Sequence, residues 1–357
     1  MRSTRTLAAV AALALPLALA ACGDDNGDTS ANDSGDTAAT DDATADGDAA
    51  DSGQPRTLRL AHSYTDTQPQ AQCGAQVMAD ELAAGDSGLT IDIFGSSQLG
   101  GDADRISAVM AGDIDMDIQG ASALGAVYDP IGVLDGAYVF EDGEQLSTFM
   151  GSDDSQALRD AFKESSDVTI LGAWSAGARH FTANSPIRTP EDLDGLRMRF
   201  PNSPQFLMNA EALGARATEV AYEELYLALQ QGTVDGQENP IVNIAALNLA
   251  EVQDYISLSS HQLNSNLIIV GPVWDELSEA QQGALQDAVN EAIAQVPGCV
   301  EDVENESLDG WRNGEGMEVV DDVDVEAFRS RAVEYFQENL EGEKLELYNT
   351  IQDSLGG

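Results

Sequence analysis

The chain has 357 residues, with 63 acidic against 16 basic side chains and a formal net charge of −47. That length holds one large or two moderate domains, and that charge argues against nucleic acid and anionic lipid as partners. Three cysteines and three histidines, with no Cys/His cluster at zinc spacing, give no metal site and no cofactor motif.

Arg2 and Arg5 precede a fifteen-residue apolar run from Leu7 to Ala21. The run is too short for a membrane span, and residues 1–21 read as a signal peptide. The junction Leu19-Ala20-Ala21-Cys22 resembles a bacterial lipobox, in which the cysteine is lipidated and becomes the first mature residue. Residues 23–54 contain only Gly, Asp, Asn, Thr, Ser, Ala and one Gln. Such a segment cannot bury enough apolar surface to offset its chain entropy. Residues 22–54 are therefore expected to be a lipidated Cys22 and a disordered acidic tether, reaching roughly 30 Å on average. The expectation is an extracytoplasmic domain held near the membrane by its lipid anchor only.

Predicted elements then alternate. LRLAHSY (58–64) is a strand, AQVMADELAA a helix and LTIDIF (89–94) a strand. ADRISAVMAG is a helix stopped by Gly112, and IDMDI (114–118) a third strand. This order predicts an α/β fold with parallel pairing. A helix around 144–163 leads to strand VTILGAW (168–174). TPEDL is a capped turn, followed by strand LRMRF (196–200), helix SPQFLMNAEAL, strand GARATEV and helix YEELYLALQQ. Thr233-Val234-Asp235 starts a short crossing strand. DYISLSS and NLIIVG are two later strands. A long helix follows behind the capping box Ser278-x-x-Gln281, and Pro297-Gly298 breaks its pattern. EAFRSRAVEYFQENL is amphipathic. Cys73 and Cys299 lie in helical segments; they either close a long loop as a disulfide or stay as two buried thiols.

One echo joins the halves: helix DRISAVMA is followed by Gly-Asp-Ile-Asp (112–115), and helix EELYLALQQ by Gly-Thr-Val-Asp (232–235). It fits two similar α/β lobes with a cleft at the carboxyl ends of their strands.

Five of the body's twelve arginines, Arg179, Arg188, Arg197, Arg199 and Arg216, fall within 179–216. In so acidic a chain this clustering is informative. Arg197 and Arg199 share one strand face, with Leu196, Met198 and Phe200 on the other. An arginine fork matches a carboxylate bidentately. Arg199, ending its strand before Pro201, is the candidate anion seat. Asp235 and Glu238 could form a carboxylate pair, but no serine or cysteine carries a local signature of activation, so the chain is read as no enzyme.

The segments LAHSYTDTQP, FGSSQLGGDADRISAVMAGDIDM, GAWSAGARHFTANSPIRTPEDLDGLRMRFPNSP and ELYLALQQGTVDGQENP, followed by EVQDYISLS, resemble the DctP-type solute-binding proteins of tripartite ATP-independent periplasmic (TRAP) transporters over about 57–350. The resemblance implies a two-lobe, periplasmic-binding-protein-like (type II) fold with a central cleft, crossing hinge strands and a long spanning helix. Lobe I would comprise 56–176 and 265–304, lobe II 177–264 and 305–357. It implies that Arg199 makes the main salt bridge to a ligand carboxylate and that Arg179 helps. Asn239 would reach the ligand or support Arg199, Asn202 would add a polar contact, and Tyr222 would line the pocket. First-lobe candidates are His62, Tyr64, Gln119 and Trp174. Sialic-acid-binding members carry a glutamate where this chain has Gly120, which disfavours that ligand. The implied function is a receptor for a small organic carboxylate (a dicarboxylate, a sugar acid or related) that delivers it to the small and large permease subunits. A receptor presenting ligand to a membrane kinase is the alternative.

The body from residue 55 keeps 53 of the 63 acidic residues and 14 of the 16 basic ones, a net of −39, with Lys163 and Lys344 its two lysines. So acid-rich and lysine-poor a surface suggests a saline habitat, where salt screens such self-repulsion. Thermal melts across a sodium chloride series should show stability rising with salt; a flat or falling melting temperature would count against a saline habitat.

Overall fold

Among the described residues, nine strands lie in one sheet: β1 (Arg56–Ala61), β2 (Leu89–Phe94), β3 (Met116–Gln119), β4 (Thr169–Ala183), β5 (Arg197–Phe200), β6 (Arg216–Glu219), β7 (Gly236–Pro240), β8 (Tyr255–Val270) and β9 (Glu318–Val320). The computed structural model describes residues 53–356, so the readings for the signal peptide, Cys22 and all but the end of the tether lie outside the described residues.

The sheet order is β2-β1-β3-β8-β4-β7-β5-β6, with β9 on β8. Read from either end it is the same pattern, β2-β1-β3 matching β6-β5-β7. Pairing inside each flank is parallel, as expected for strand–helix–strand units. The centre departs from the all-parallel expectation: β3–β8, β8–β4 and β4–β7 are antiparallel. β3 pairs only with Leu267–Val270 of β8, and β7 only with Arg179–Ala183 of β4. β4 and β8 therefore cross from one lobe to the other. At Ser175–Ala178 their register shifts, and Gly177 holds φ +94°. That left-handed φ favours glycine at this crossing point, and a Cβ there would also push the Glu304 carboxylate aside.

The sequence echo is a structural one. Asp115 Oδ2 accepts from the backbone N–H of Arg59 on β1 (2.7 Å) and from its Nε (3.3 Å). Asp235 Oδ2 accepts from the backbone N–H (2.9 Å) and Nε (2.9 Å) of Arg197 on β5. In each lobe the arginine Nη2 also reaches the carbonyl of the helix-ending glycine, Gly112 or Gly232. Both glycines hold positive φ. The repeated Gly-x-aliphatic-Asp thus joins a helix end to the neighbouring strand.

Several boundaries differ from expectation. β4 continues past 174 to Ala183, and the two strands read at 254–260 and 266–271 are one, β8. The residues that looked like loops are polar, but His180, Thr182, His261, Gln262, Asn264 and Ser265 are buried. Thr233–Asp235 is a turn, and β7 starts at Gly236 because Asp235 is held by Arg197. The helix read around 144–163 is two, Gly143–Gly151 and Gln156–Ser166.

Pro297-Gly298 does not break the long helix, which runs Glu279–Arg312 behind the expected capping box. Proline in a helix interior costs about 3 kcal/mol. The buried stripe Leu285, Ala288, Val289, Ala292, Val296 and Val300 carries on through it, so packing outweighs the lost hydrogen bond. Just beyond the proline, Cys299 is disulfide-bonded to Cys73, 226 residues away. In the chain-entropy account a loop of that size is worth about 5 kcal/mol. A Cys73→Ser/Cys299→Ser double variant should lose about 2–5 kcal/mol of unfolding free energy in urea melts while keeping its circular dichroism. An unchanged midpoint would show that packing alone fixes the helix.

Candidate functional site

A cavity of about 490 Å³ opens at the carboxyl ends of the parallel strands. Ser63 and Tyr64 reach it after β1, and Gln119 and Gly120 at the end of β3. Asn202 follows β5, and Tyr222 and Glu223 follow β6. Asn239 and Asn243 lie at the end of β7 and just beyond. Arg179, Asn264 and Asn266 enter from the crossing strands, and Arg199 from β5.

The two lining arginines differ. All three nitrogens of Arg179 are engaged within the protein, one Nη1 N–H being left over. Its Nε and Nη2 hold both carboxylate oxygens of Glu238, the Nη2–Oε1 distance being 2.8 Å. Nη2 also donates to the Glu238 carbonyl (2.8 Å) and to Asn239 Oδ1 (3.3 Å), and Nη1 donates to Asn264 Oδ1. The guanidinium carbon lies 4.8 Å from the centre of the Phe206 ring. Arg199 is 2% exposed, and its Nε donates to the Val220 carbonyl at 2.8 Å. Its Nη1 is buried with no partner, and no ion pair to it occurs among the described residues. Burial pulls its pKa down to about 10, Glu238 opposing this and Arg179 adding to it. A buried cation with an open donor favours an anion in the cavity.

Position along β5 separates Arg199 from Arg197. Arg197 begins the strand, far from its carboxyl end, and pairs with half-exposed Asp235 (2.7 Å). Arg188 pairs with exposed Asp322, and Arg216 is exposed. Of the five clustered arginines, only Arg179 and Arg199 meet at the cavity.

Asn239 lines the cavity, but its amide is occupied. Oδ1 accepts from Arg179 and from Asn243 Nδ2 (3.2 Å), and Nδ2 donates to Gln237 Oε1 (2.6 Å). It positions Arg179. Asn202, Tyr222, Tyr64 and Gln119 also line the cavity. The Gln119 amide bonds Asp117 Oδ2 (3.2 Å) and the Gly120 N–H (3.1 Å). Trp174 and His62 are not on the wall. Trp174 is buried in the apolar core against Gly74, where a Cβ would come 2.9 Å from its ring. His62 sits behind Tyr64: its Nδ1 accepts the Tyr64 N–H (3.2 Å) and the rings stack 5.9 Å apart.

Sequence reasoning missed Asn264, Asn266, Asp135, Ser122, Asn243 and Phe206, all of which line the cavity. Asn264 and Asn266 are two apart and share a strand face. That signal was split, because Asn264 lay between the two strands read there and Asn266 was the first residue of the second. Among the described residues, no group of three or more metal-ligating side chains gathers.

A family model described as DctP, bacterial extracellular solute-binding protein, family 7, matches residues 60–343. A solute-binding protein of Roseobacter denitrificans is 31% identical over 283 residues, covering 78% of this chain and 85% of that protein. The 2,3-diketo-L-gulonate-binding periplasmic protein of Escherichia coli is 30% identical over 277 residues, 76% of this chain and 83% of its own. Among solved structures, a TRAP periplasmic solute-binding protein from Polaromonas bound to D-erythronate is 29% identical, with a TM-score of 0.77 over 83% of this chain and 98% of that one.

Glu238 is the counter-charge on which the arginine pair rests. Burial pushes its carboxyl up, but Arg179 and the ring of His261 (Nε2 to Oε2, 3.4 Å) override this and hold it below the usual range. A group whose folded pKa is depressed contributes stability above its unfolded value of 4.5, lost as pH falls through the folded value. Glu238→Gln should therefore cost about 3–5 kcal/mol at neutral pH. Urea melts of the two proteins should converge as pH drops below 4.5. A deficit independent of pH would show that shape, not charge, is what glutamate supplies.

Proposed function

This chain belongs to bacterial extracellular solute-binding protein family 7, and from that premise we propose that it is the receptor of a TRAP transporter, seating the carboxylate of a small organic acid on Arg199. The observation that carries the reading is the Arg199 guanidinium, buried at the carboxyl end of its strand, open to the cavity and without a carboxylate partner. A ligand carboxylate supplies the charge that the protein supplies for Arg179 through Glu238. Arg179 acts by fixing the wall beside it. The receptor performs no chemistry and hands its ligand to the small and large permease subunits.

In this reading lobe I comprises 56–176 and 265–304, and lobe II 177–264 and 305–357. The site draws from both: Tyr64 and Gln119 come from the first, Arg199, Asn202 and Tyr222 from the second. Gln68 Nε2 to Asn243 Oδ1 (2.9 Å) and Ser97 Oγ to Glu223 Oε1 (2.6 Å) join the two across the cleft, which supports a hinge that closes on ligand. No helix among the described residues is long and apolar enough to cross a membrane. A signal peptide, lipidation at Cys22 and the tether would hold the receptor outside the membrane.

A thermal-shift panel of organic acids identifies a ligand, since saturation at 100 times the dissociation constant adds about 2.7 kcal/mol. Arg199→Ala should then lose about 2–5 kcal/mol of binding in calorimetry, with circular dichroism unchanged. Arg199→Lys should recover only part, for want of the fork. Near-native affinity in Arg199→Ala would remove the carboxylate seat from that residue.

A further inference from the structure

The rest of the cavity wall selects what the ligand carries beyond its carboxylate. Two cations line it, and Arg179 spends its Nε and Nη2 on Glu238 and one Nη1 N–H on Asn264, which leaves no fork for a second carboxylate. Four carboxylates line it: Asp102, Asp104, Asp135 and Glu223. Asp102 is held by Arg105 at 2.9 Å and Glu223 by Ser97, and both, with Asp104, stand on exposed chain.

Asp135 is different. It is 2% exposed and makes no ion pair among the described residues. Its Oδ2 accepts the Ser122 N–H (2.8 Å) and its Oδ1 the Ser265 N–H (3.0 Å). Each oxygen keeps a lone pair beyond those bonds. Two further buried oxygens on the wall, Ser122 Oγ and Asn266 Oδ1, have no partner among the described residues. Gly120 borders this corner, a Cβ there meeting Asp135 Oδ2 at an ordinary contact distance of 3.8 Å.

The Asp135 and Asn266 oxygens ask for donors, and the Ser122 hydroxyl can accept or donate. A ligand hydroxyl satisfies all three. A carboxylate has no hydrogen to give Asp135 or Asn266 and brings a second acid beside Asp135. We propose that the ligand is a polyhydroxy monocarboxylate, its hydroxyl groups donating to Asp135, Ser122 and Asn266, and that Asp135 is the residue that rejects a second carboxylate. This rests on the carboxylate seat at Arg199 and narrows the class of acid that sits there.

The test is a matched series. Aldonates of four to six carbons are titrated against the aldarates of the same stereochemistry, which differ only in a carboxylate for the terminal CH₂OH. Calorimetry uses the wild type, Asp135→Asn and Arg199→Ala. At least one aldonate should bind about a hundredfold more tightly than its aldarate, since like-charge juxtaposition costs several kcal/mol. Asp135→Asn should narrow that ratio at least about tenfold, and Arg199→Ala should lose both partners. The wild-type ratio is decisive even if Asp135→Asn does not fold. An aldarate, succinate or malate bound as tightly as the best aldonate overturns the inference, as does a ratio unchanged in Asp135→Asn. If only acids without hydroxyl groups bind, and do so through Arg199, the inference fails while the Arg199 seat stands. Binding undiminished in Arg199→Ala, or no acid bound at all, overturns both.

Discussion

Two guanidinium groups are buried in one cavity wall, and Glu238 neutralises only one of them. Taking a charge out of water costs several kcal/mol unless it is paired. Arg179 is paired with Glu238 and bonded to Asn239 and Asn264, so it belongs to the scaffold. Arg199 is left with one backbone acceptor and an open donor. The imbalance is what the site has to offer an anion. It persists because Glu238 is itself fixed, by Arg179 on one side and by His261 on the other. His261 stacks on Phe181 with ring centres 4.2 Å apart and bonds Ser259 Oγ at 2.8 Å.

The polar groups behind this pair form one line. Gln68 donates to Asn243, Asn243 to Asn239, Asn239 to Gln237, Gln237 to Thr182, and Thr182 to Gln253. Each link runs in the same direction, and all six residues are buried. Such a network fixes side-chain positions where an apolar wall would leave Arg179 without acceptors. It accounts for Gln237 and Asn239 in the amide-rich run from Gln230 to Pro240, while Gln230 and Gln231 are exposed and take no part in it.

The palindromic sheet places function against symmetry. β1 pairs with β3 as β5 pairs with β7, so Leu60 opposite Met116 matches Met198 opposite Gly236. Ala61 then occupies in one lobe the place that Arg199 occupies in the other, and Gln119 the place of Asn239. The same scaffold carries a small apolar residue on one side of the cleft and the anion seat on the other. Asp135, on the chain before β4, sets the opposite polarity. The cleft therefore has a cationic end and an acceptor-rich corner, a direction for a ligand that is charged at one end only.

How much of this could be read from the chain depends on how local each cause is. Helix ends, capping boxes and the Gly-x-aliphatic-Asp echo are fixed by residues within a few positions, and the sequence alone determines them. The period of two in Leu196–Phe200 determines that Arg199 leaves the apolar face, and its place before Pro201 sets it at the carboxyl end of the strand. Burial is not local. The polar stretches of β4 and β8 look like loops until their partners in the sheet and the packed elements around them are counted, and Pro297 looks like a break until the stripe beneath it and the bond to Cys73 are counted. Trp174 and His62 have the right chemistry for a pocket but point elsewhere. Which of two buried arginines remains free was decided only when β7 brought Glu238 beside Arg179, because charge pairing depends on distances in space that spacing along the chain does not encode.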